Sequence, residues 1–349
     1  MALKSINPYN GEIKKEHREW DPEEVQQAIE RSDGVFRTWK KSSFDTRKEM
    51  LLNASGILEK KKDEYAGLIT AEMGKPVGEA EAEVLKCAWV CRYYAENGEK
   101  FLEKEVIGTD ASKSYIVYEP LGTILAVMPW NFPFWQVFRF LAPTLMAGNT
   151  ALLKHASNVQ GCASAIENLM LEAGIPTYVF QNIPVTSSQV AGIIDKPAVK
   201  AVSLTGSEAA GIDVAVKASK NIKKSLLELG GSNAFIVLDD ADMDMAVETG
   251  VKARMMNTGQ SCIAAKRFIV SHNVFEEFRK RIVTEVKALV VGDPMDPAID
   301  VGPLSSEKQA IEVEKQLKRS VEMGARLITG GERTGCFIAP AVLTGARPG

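Results

Sequence analysis

"KSYIVYEPLGTILAVMPW", residues 113–130, is the stretch that decides the fold. Its first half is rich in β-branched and aromatic residues and breaks at Pro120-Leu121-Gly122, which predicts a hairpin-like arm near 104–120 running into a buried strand. The second half is the first of several short apolar runs, near 123–128, 149–154, 178–183, 199–204, 222–228 and 234–238. Helical patterns lie near 134–147, 158–173, 187–195 and 207–220. Strands alternating with helices predict a parallel, doubly wound α/β sheet. Such sheets bind ligands at the carboxyl ends of their strands.

Upstream, the first hundred residues read as helices. "DPEEVQQAIERSDGVFRTWK" (21–40) opens with Asp21 as N-cap and Pro22 at the first helical position, and amphipathic runs follow near 45–72 and 77–103. A second α/β pattern begins after Gly230-Gly231, with helices near 242–257, 274–290 and 305–323. A chain of 349 residues exceeds the usual span of one hydrophobic core. The boundary is placed between residues 1–228 and 229–349.

Charged residues make up 25% of the chain with both signs interspersed, for a net charge of −3, so nothing favours nucleic acid or an anionic membrane as a partner. The start lacks the apolar core of a signal peptide, and the longest apolar runs are too short to span a bilayer. A cytoplasmic location is expected, and five cysteines without disulfide-scaffold density fit a reducing compartment. Cys87 and Cys91 stand at i, i+4 in a helical run. With three histidines in the chain and no second cysteine pair nearby, they read as core packing, and no metal site is expected.

An unpaired cysteine is ordinarily a small apolar packing residue, so "NTGQSC" (257–262) gains meaning only from its companions. "MPWNFP" (128–133), "LTGSEAAG" (204–211) and "LELGG" (227–231) fall just past strand ends. Together they hold what thiol-based acyl chemistry needs: a nucleophile in Cys262, an oxyanion donor in Asn131 and a base for water in Glu228. Singly, each has a plainer reading: Asn131 as a turn residue, Glu228 as a solvated carboxylate, and "GSEAAG" as a helix start whose Gly206 and Gly211 do not make a G-x-G-x-x-G fingerprint.

Taken in order with "INPYNGE" (6–12), "LLKHAS" (152–157), "GDPMDPAIDVGPL" (292–304) and "ARLITGG" (325–331), these segments resemble the aldehyde dehydrogenase superfamily over nearly the whole chain. The resemblance implies a Rossmann-type, doubly wound cofactor domain plus an α/β catalytic domain, partial at its C-terminus. The activity it implies is NAD(P)-dependent oxidation of a small-molecule aldehyde to a carboxylate. The Cys262 thiolate would attack the carbonyl, with the Asn131 amide and the Cys262 N–H donating to the oxyanion. Hydride would pass to the nicotinamide, and Glu228 would activate water against the thioester. Met128, Pro129, Trp130, Lys154, Ser157, Gly206, Ser207 and Leu229 would bind the cofactor. Ser157 stands where NAD-preferring members carry a glutamate, which favours NADP with NAD tolerated; capping of the following helix is the alternative role for this serine.

The sequence is most similar to the bacterial succinate-semialdehyde dehydrogenases. In that branch an arginine eight residues beyond the asparagine, here Arg139, binds the substrate carboxylate through its bidentate fork. Trp135 would wall the aliphatic part and Ser261 would complete the pocket. A surface ion pair is the plainer reading of Arg139. Where some members carry a second arginine this chain has Met256, so glutarate semialdehyde or neutral aldehydes stay open as substrates; where some carry a second cysteine able to pair with the nucleophile it has Ala264, so no redox switch of that kind is expected. The chain ends at "FIAPAVLTGARPG" (337–349), where the family continues into Glu-x-Phe-Gly-Pro. The partner expectation is a homodimer or homotetramer for the complete protein. Whether these 349 residues turn over is left open, a non-catalytic nucleotide-binding fragment or a thiol esterase being the alternatives.

Overall fold

In the computed structural model, which describes residues 3–346, the apolar run after Gly122 forms β1 (Thr123–Met128), the middle strand of a five-stranded sheet. The chain then alternates through α1 (Trp135–Met146), β2 (Thr150–His155), α2 (Gln160–Glu172), β3 (Phe180–Asn182), α3 (Val190–Asp195), β4 (Val199–Thr205), α4 (Glu208–Lys220) and β5 (Lys224–Glu228). All neighbours are parallel and the order is β3-β2-β1-β4-β5. Connections run outward from β1 on one side and then return to β4 on its other side, so the order reverses between β1 and β4. The loops leaving their carboxyl ends diverge there, as in doubly wound folds. Every residue of β2 is buried, which explains why these strands read as continuous apolar runs and not as alternating ones.

The helix Pro22–Trp39 packs Val25, Ala28 and Ile29 against Leu125, Leu152 and Val202. Asp21 caps it: its side chain accepts from Glu23 and Glu24 N–H while Glu24 reaches back to the Asp21 N–H. Residues 105–106 and 115–116 pair antiparallel, and this hairpin leaves Val106, Tyr115 and Ile116 exposed. Cys87 and Cys91 are fully buried in the helix Val77–Phe101, and burial pushes the Cys91 thiol up to about 12. No helix among the described residues is long and apolar enough to cross a membrane.

Two sequence expectations need correction. Short strands at Leu3–Ile6 and Ile13–His17 precede the helices. The second is largely exposed and polar, so it carries no apolar pattern to read. The run near 234–238 is not a sixth strand of the sheet. As β6 (Asn233–Val237) it pairs in parallel with β7 (Ala265–Val270) in a separate unit.

By contacts the chain divides into one unit of residues 1–5, 15–68 and 81–229 and a second of 6–14, 69–80 and 230–349. The second differs from the expected 229–349 by taking two early segments. Gly74 shows why: at φ +78°, an added Cβ would lie 2.9 Å from the Pro303 carbonyl oxygen and 2.9 Å from the Pro8 ring, so glycine permits the close approach of all three segments. The Val77 N–H also donates to the Pro294 carbonyl at 2.8 Å. Within this unit α5 (Met243–Met255) and α6 (Phe275–Ala288) cover β6 and β7 through Val247, Val251, Phe278 and Ile282, and α7 (Glu307–Glu322) follows.

Candidate active site

In the first unit the expected residues gather at the carboxyl edge of the sheet. Met128 ends β1 and is buried, and Pro129, Trp130 and the half-buried Asn131 form the loop that leaves it. The loop is held by two buried side chains. His155, the last residue of β2, accepts from the Ala156 N–H through Nδ1 at 2.9 Å, which leaves Nε2–H to donate to the Pro133 carbonyl at 2.9 Å. Burial pushes the His155 imidazole down to about 4 against the opposing effect of its carbonyl partners, so it is neutral at physiological pH. On the other side Glu83 Oε1 accepts from the Phe134 and Trp135 N–H groups, each at 2.9 Å. It thereby caps α1, whose own N-cap residue makes no side-chain bond.

Arg139, one turn into α1, faces Glu228. Its Nη1 stands 3.6 Å from Glu228 Oε2 and its Nη2 donates to Thr205 Oγ1 at 3.2 Å. Glu228 ends β5 opposite Thr205, with about half its side chain exposed. Trp135 is half-buried, with the Lys86 ammonium 4.1 Å above its ring.

Lys154 lies on β2 beside Val127 and is 7% exposed. Burial holds its ammonium below the usual lysine range, and it has neither an ion pair nor a hydrogen bond among the described residues. Ser157 is exposed and does not cap the next helix, because α2 begins at Gln160 with Val159 at its N-cap and no side-chain cap. Ser207 does cap α4, accepting from the Ala210 N–H at 3.3 Å, and the Gly206 N–H donates to the Glu228 carbonyl. Gly211 lies against Leu229, and a Cβ there would come within 2.6 Å of the end of that side chain, which would have to shift.

In the second unit Cys262 is half-buried at the end of a strained turn. Asn257, Thr258 and Gly259 have φ of 55°, 55° and 75° in succession. A β-branched threonine in that region persists only where its surroundings over-determine it, and the surroundings do so. The Asn257 N–H donates to Glu79 Oε2 at 2.6 Å, and Thr258 Oγ1 accepts from the Gly302 N–H at 3.1 Å. Arg254 donates to the Gly259 carbonyl at 3.2 Å, and Gln260 Oε1 accepts from the Ser305 N–H at 2.9 Å. Strain held this firmly just before a half-buried thiol makes the turn a candidate site. Ser261, beside it, is buried with its hydroxyl oxygen unpaired among the described residues.

The family model described as the aldehyde dehydrogenase family matches residues 1–349. The chain belongs to the aldehyde dehydrogenase family. It is 46% identical to a protein of Synechocystis named probable succinate-semialdehyde dehydrogenase [NADP(+)], covering all of this chain and 77% of that one. Identity is also 46% to succinate-semialdehyde dehydrogenase [NADP(+)] 1 of Mycobacterium bovis, over 99% of this chain and 77% of the relative. Among solved structures, succinic semialdehyde dehydrogenase from Streptococcus pyogenes in complex with NADP+ superposes with a TM-score of 0.95 at 37% identity, covering 97% of this chain and 76% of that one. The succinate-semialdehyde dehydrogenase from Burkholderia pseudomallei gives a TM-score of 0.96 at 31% identity, with 100% and 73% covered.

Family membership explains why this aldehyde dehydrogenase carries its distinguishing segments at strand ends and in one strained turn. Sequence reading singled out the residues in those segments but missed Glu79, Glu83, His155 as a loop anchor, and Arg254. Only Glu83 leaves a trace, as an acid inside the apolar helical run "AEVLKCAWVC" (82–91).

Proposed function

We propose that this chain oxidises succinate semialdehyde to succinate with NADP+, Cys262 acting as nucleophile, Asn131 as oxyanion donor and Glu228 as the base that activates water. Support for the reaction class is the family itself, and support for the substrate is that relatives at 46% identity bear that name.

The observation that carries the cofactor assignment is Lys154. A buried ammonium without a partner is costly, and at the carboxyl edge of a doubly wound sheet it fits the ribose hydroxyls and 2′-phosphate of NADP. Ser157, exposed three residues later, adds no negative charge against that phosphate. Bound there, the cofactor supplies the hydride acceptor. The Met128–Asn131 loop, Gly206, Ser207 and Leu229 complete the cofactor surface in this reading.

Attack by the Cys262 sulfur on the aldehyde carbon places negative charge on the carbonyl oxygen. The neutral Asn131 amide stabilises that charge only as it develops. After oxidation the carbon is a thioester on Cys262, and Glu228 takes a proton from the water that hydrolyses it. Arg139 meets the carboxylate of the substrate. It does so by exchanging the Glu228 carboxylate, now 3.6 Å away, for that of the substrate, while Trp135 and Ser261 line the remainder.

The test is NADPH formation with succinate semialdehyde, glutarate semialdehyde and an uncharged aldehyde of similar length, on the parent and on Arg139→Met. Loss of one charge-assisted contact raises KM for succinate semialdehyde at least about tenfold and leaves the uncharged aldehyde unchanged. Equal effects on both aldehydes would remove Arg139 from substrate recognition.

A further inference from the structure

A cysteine nucleophile needs something that favours its thiolate, and the assignment above names nothing for that task. Within the second unit the sole histidine, His272, follows β7 while Cys262 precedes it. Six extended residues separate the two by about 20 Å. Two cations lie at the turn instead. Arg254 bonds the Gly259 carbonyl. The Lys266 ammonium donates to the carbonyl of Cys262 itself at 2.9 Å and to the carbonyl of Gly231, so it is clamped between the nucleophile's backbone and the segment that follows Glu228.

We infer that Lys266 is the electrostatic activator of Cys262: its ammonium, fixed on the Cys262 carbonyl, stabilises the thiolate that attacks the aldehyde. This rests on the reading of Cys262 as nucleophile. Two further observations agree. Burial pushes the Lys266 ammonium below its ordinary value, a negative charge on Cys262 opposes that fall, and the Arg254 guanidinium adds to it. Burial also lowers Arg254. The turn thus carries two cations, and a thiolate on Cys262 is the anion that would offset them. Lys266 stands four residues past the nucleophile at the start of β7, where the β-strand leaves its stem extended along the surface and its head directed back to the turn.

The experiment is alkylation of the whole 349-residue chain by iodoacetamide at neutral pH, resolved by cysteine with peptide mass spectrometry. The reaction forms a sulfur–carbon bond and releases iodide, so it reports thiolate without cofactor or aldehyde. Cys336, half-buried in the same unit, is the internal reference. Lys266→Met slows Cys262 by about three- to tenfold, the range expected for losing one nearby charge partly screened by water and partly offset by intrinsic nucleophilicity. Lys266→Arg, which keeps the charge, stays within about twofold of the parent. Cys336 keeps its rate in both. A Met variant that alkylates at the parent rate would overturn the inference, as would Met and Arg variants that are equally slow, since the bonds and not the charge would then matter. If Cys262 of the parent reacts no faster than Cys336, the nucleophile reading falls and this inference with it.

Discussion

Removing the carboxylate of Glu83 measures how firmly the Asn131 loop is built. Glu83 is 4% exposed and accepts from two backbone N–H groups that no other side chain caps. In Glu83→Ala those donors are orphaned beside a helix N-terminus. A buried unsatisfied N–H costs about 1–3 kcal/mol, and loss of an N-cap costs about 0.5–2 kcal/mol. Because these overlap on one pair of donors, the combined loss is about 3 kcal/mol. Glu83→Gln keeps an oxygen acceptor and loses only the charge at the positive end of α1, which is about 1 kcal/mol. Urea unfolding gives the two values, and amide exchange at Phe134 and Trp135 localises them. A 3 kcal/mol loss expressed locally appears as a roughly hundredfold drop in protection. An alanine variant within about 0.5 kcal/mol of the parent, with protection at Phe134 and Trp135 intact, would refute the reasoning.

Three further outcomes follow from the same geometry. Asn131→Ala keeps the parent's unfolding midpoint and loses about 100- to 1000-fold in kcat, so a rate near the parent's would remove its oxyanion role. Ser157→Glu places a carboxylate beside Lys154 and shifts the kcat/KM ratio from NADP+ toward NAD+; an unchanged ratio would dissociate this position from cofactor choice. His155 sets an acid limit on stability. Burial lowers its folded value from 6.5 to about 4, so above pH 6.5 both folded and unfolded states are neutral and stability does not depend on this group. Below pH 6.5 the unfolded chain takes a proton that the folded chain refuses, and stability falls until pH 4, by about 3 kcal/mol at about 1.4 kcal/mol per pH unit. Urea midpoints of the parent and of His155→Gln across that window check it, since the variant lacks this contribution to the slope.

The sheet was legible because buried parallel strands are continuous apolar runs of the right length between amphipathic helices, and β1, β2 and β4 meet that description. What the pattern does not encode is which strands pair. Asn233–Val237 has the same texture as its predecessors, and only its register with Ala265–Val270, some thirty residues later, assigns it to another sheet. The capture of residues 6–14 and 69–80 by the second unit depends on Gly74 meeting Pro8 and Pro303, a three-way contact without a local signature. For the proposed site, the order of their segments was enough to nominate Cys262, Asn131 and Glu228 as candidates. Their supports were not readable. Glu79, Glu83 and His155 act through backbone groups tens to hundreds of residues away, and a polar residue in a helix or strand looks the same in sequence whether solvated or bonded. Arg139 was readable as a candidate substrate ligand, and the structure adds that its present partners are Glu228 and Thr205.

The central claim is that Cys262 carries the acyl group and Glu228 removes it. The most direct measurement is the intact mass of Glu228→Gln after mixing with succinate semialdehyde and NADP+, followed by peptide mapping. The account predicts a succinyl adduct on Cys262 that accumulates in this variant, is far weaker in the parent and is absent from Cys262→Ala. An adduct on another residue, or none in the variant while NADPH still forms, would contradict it.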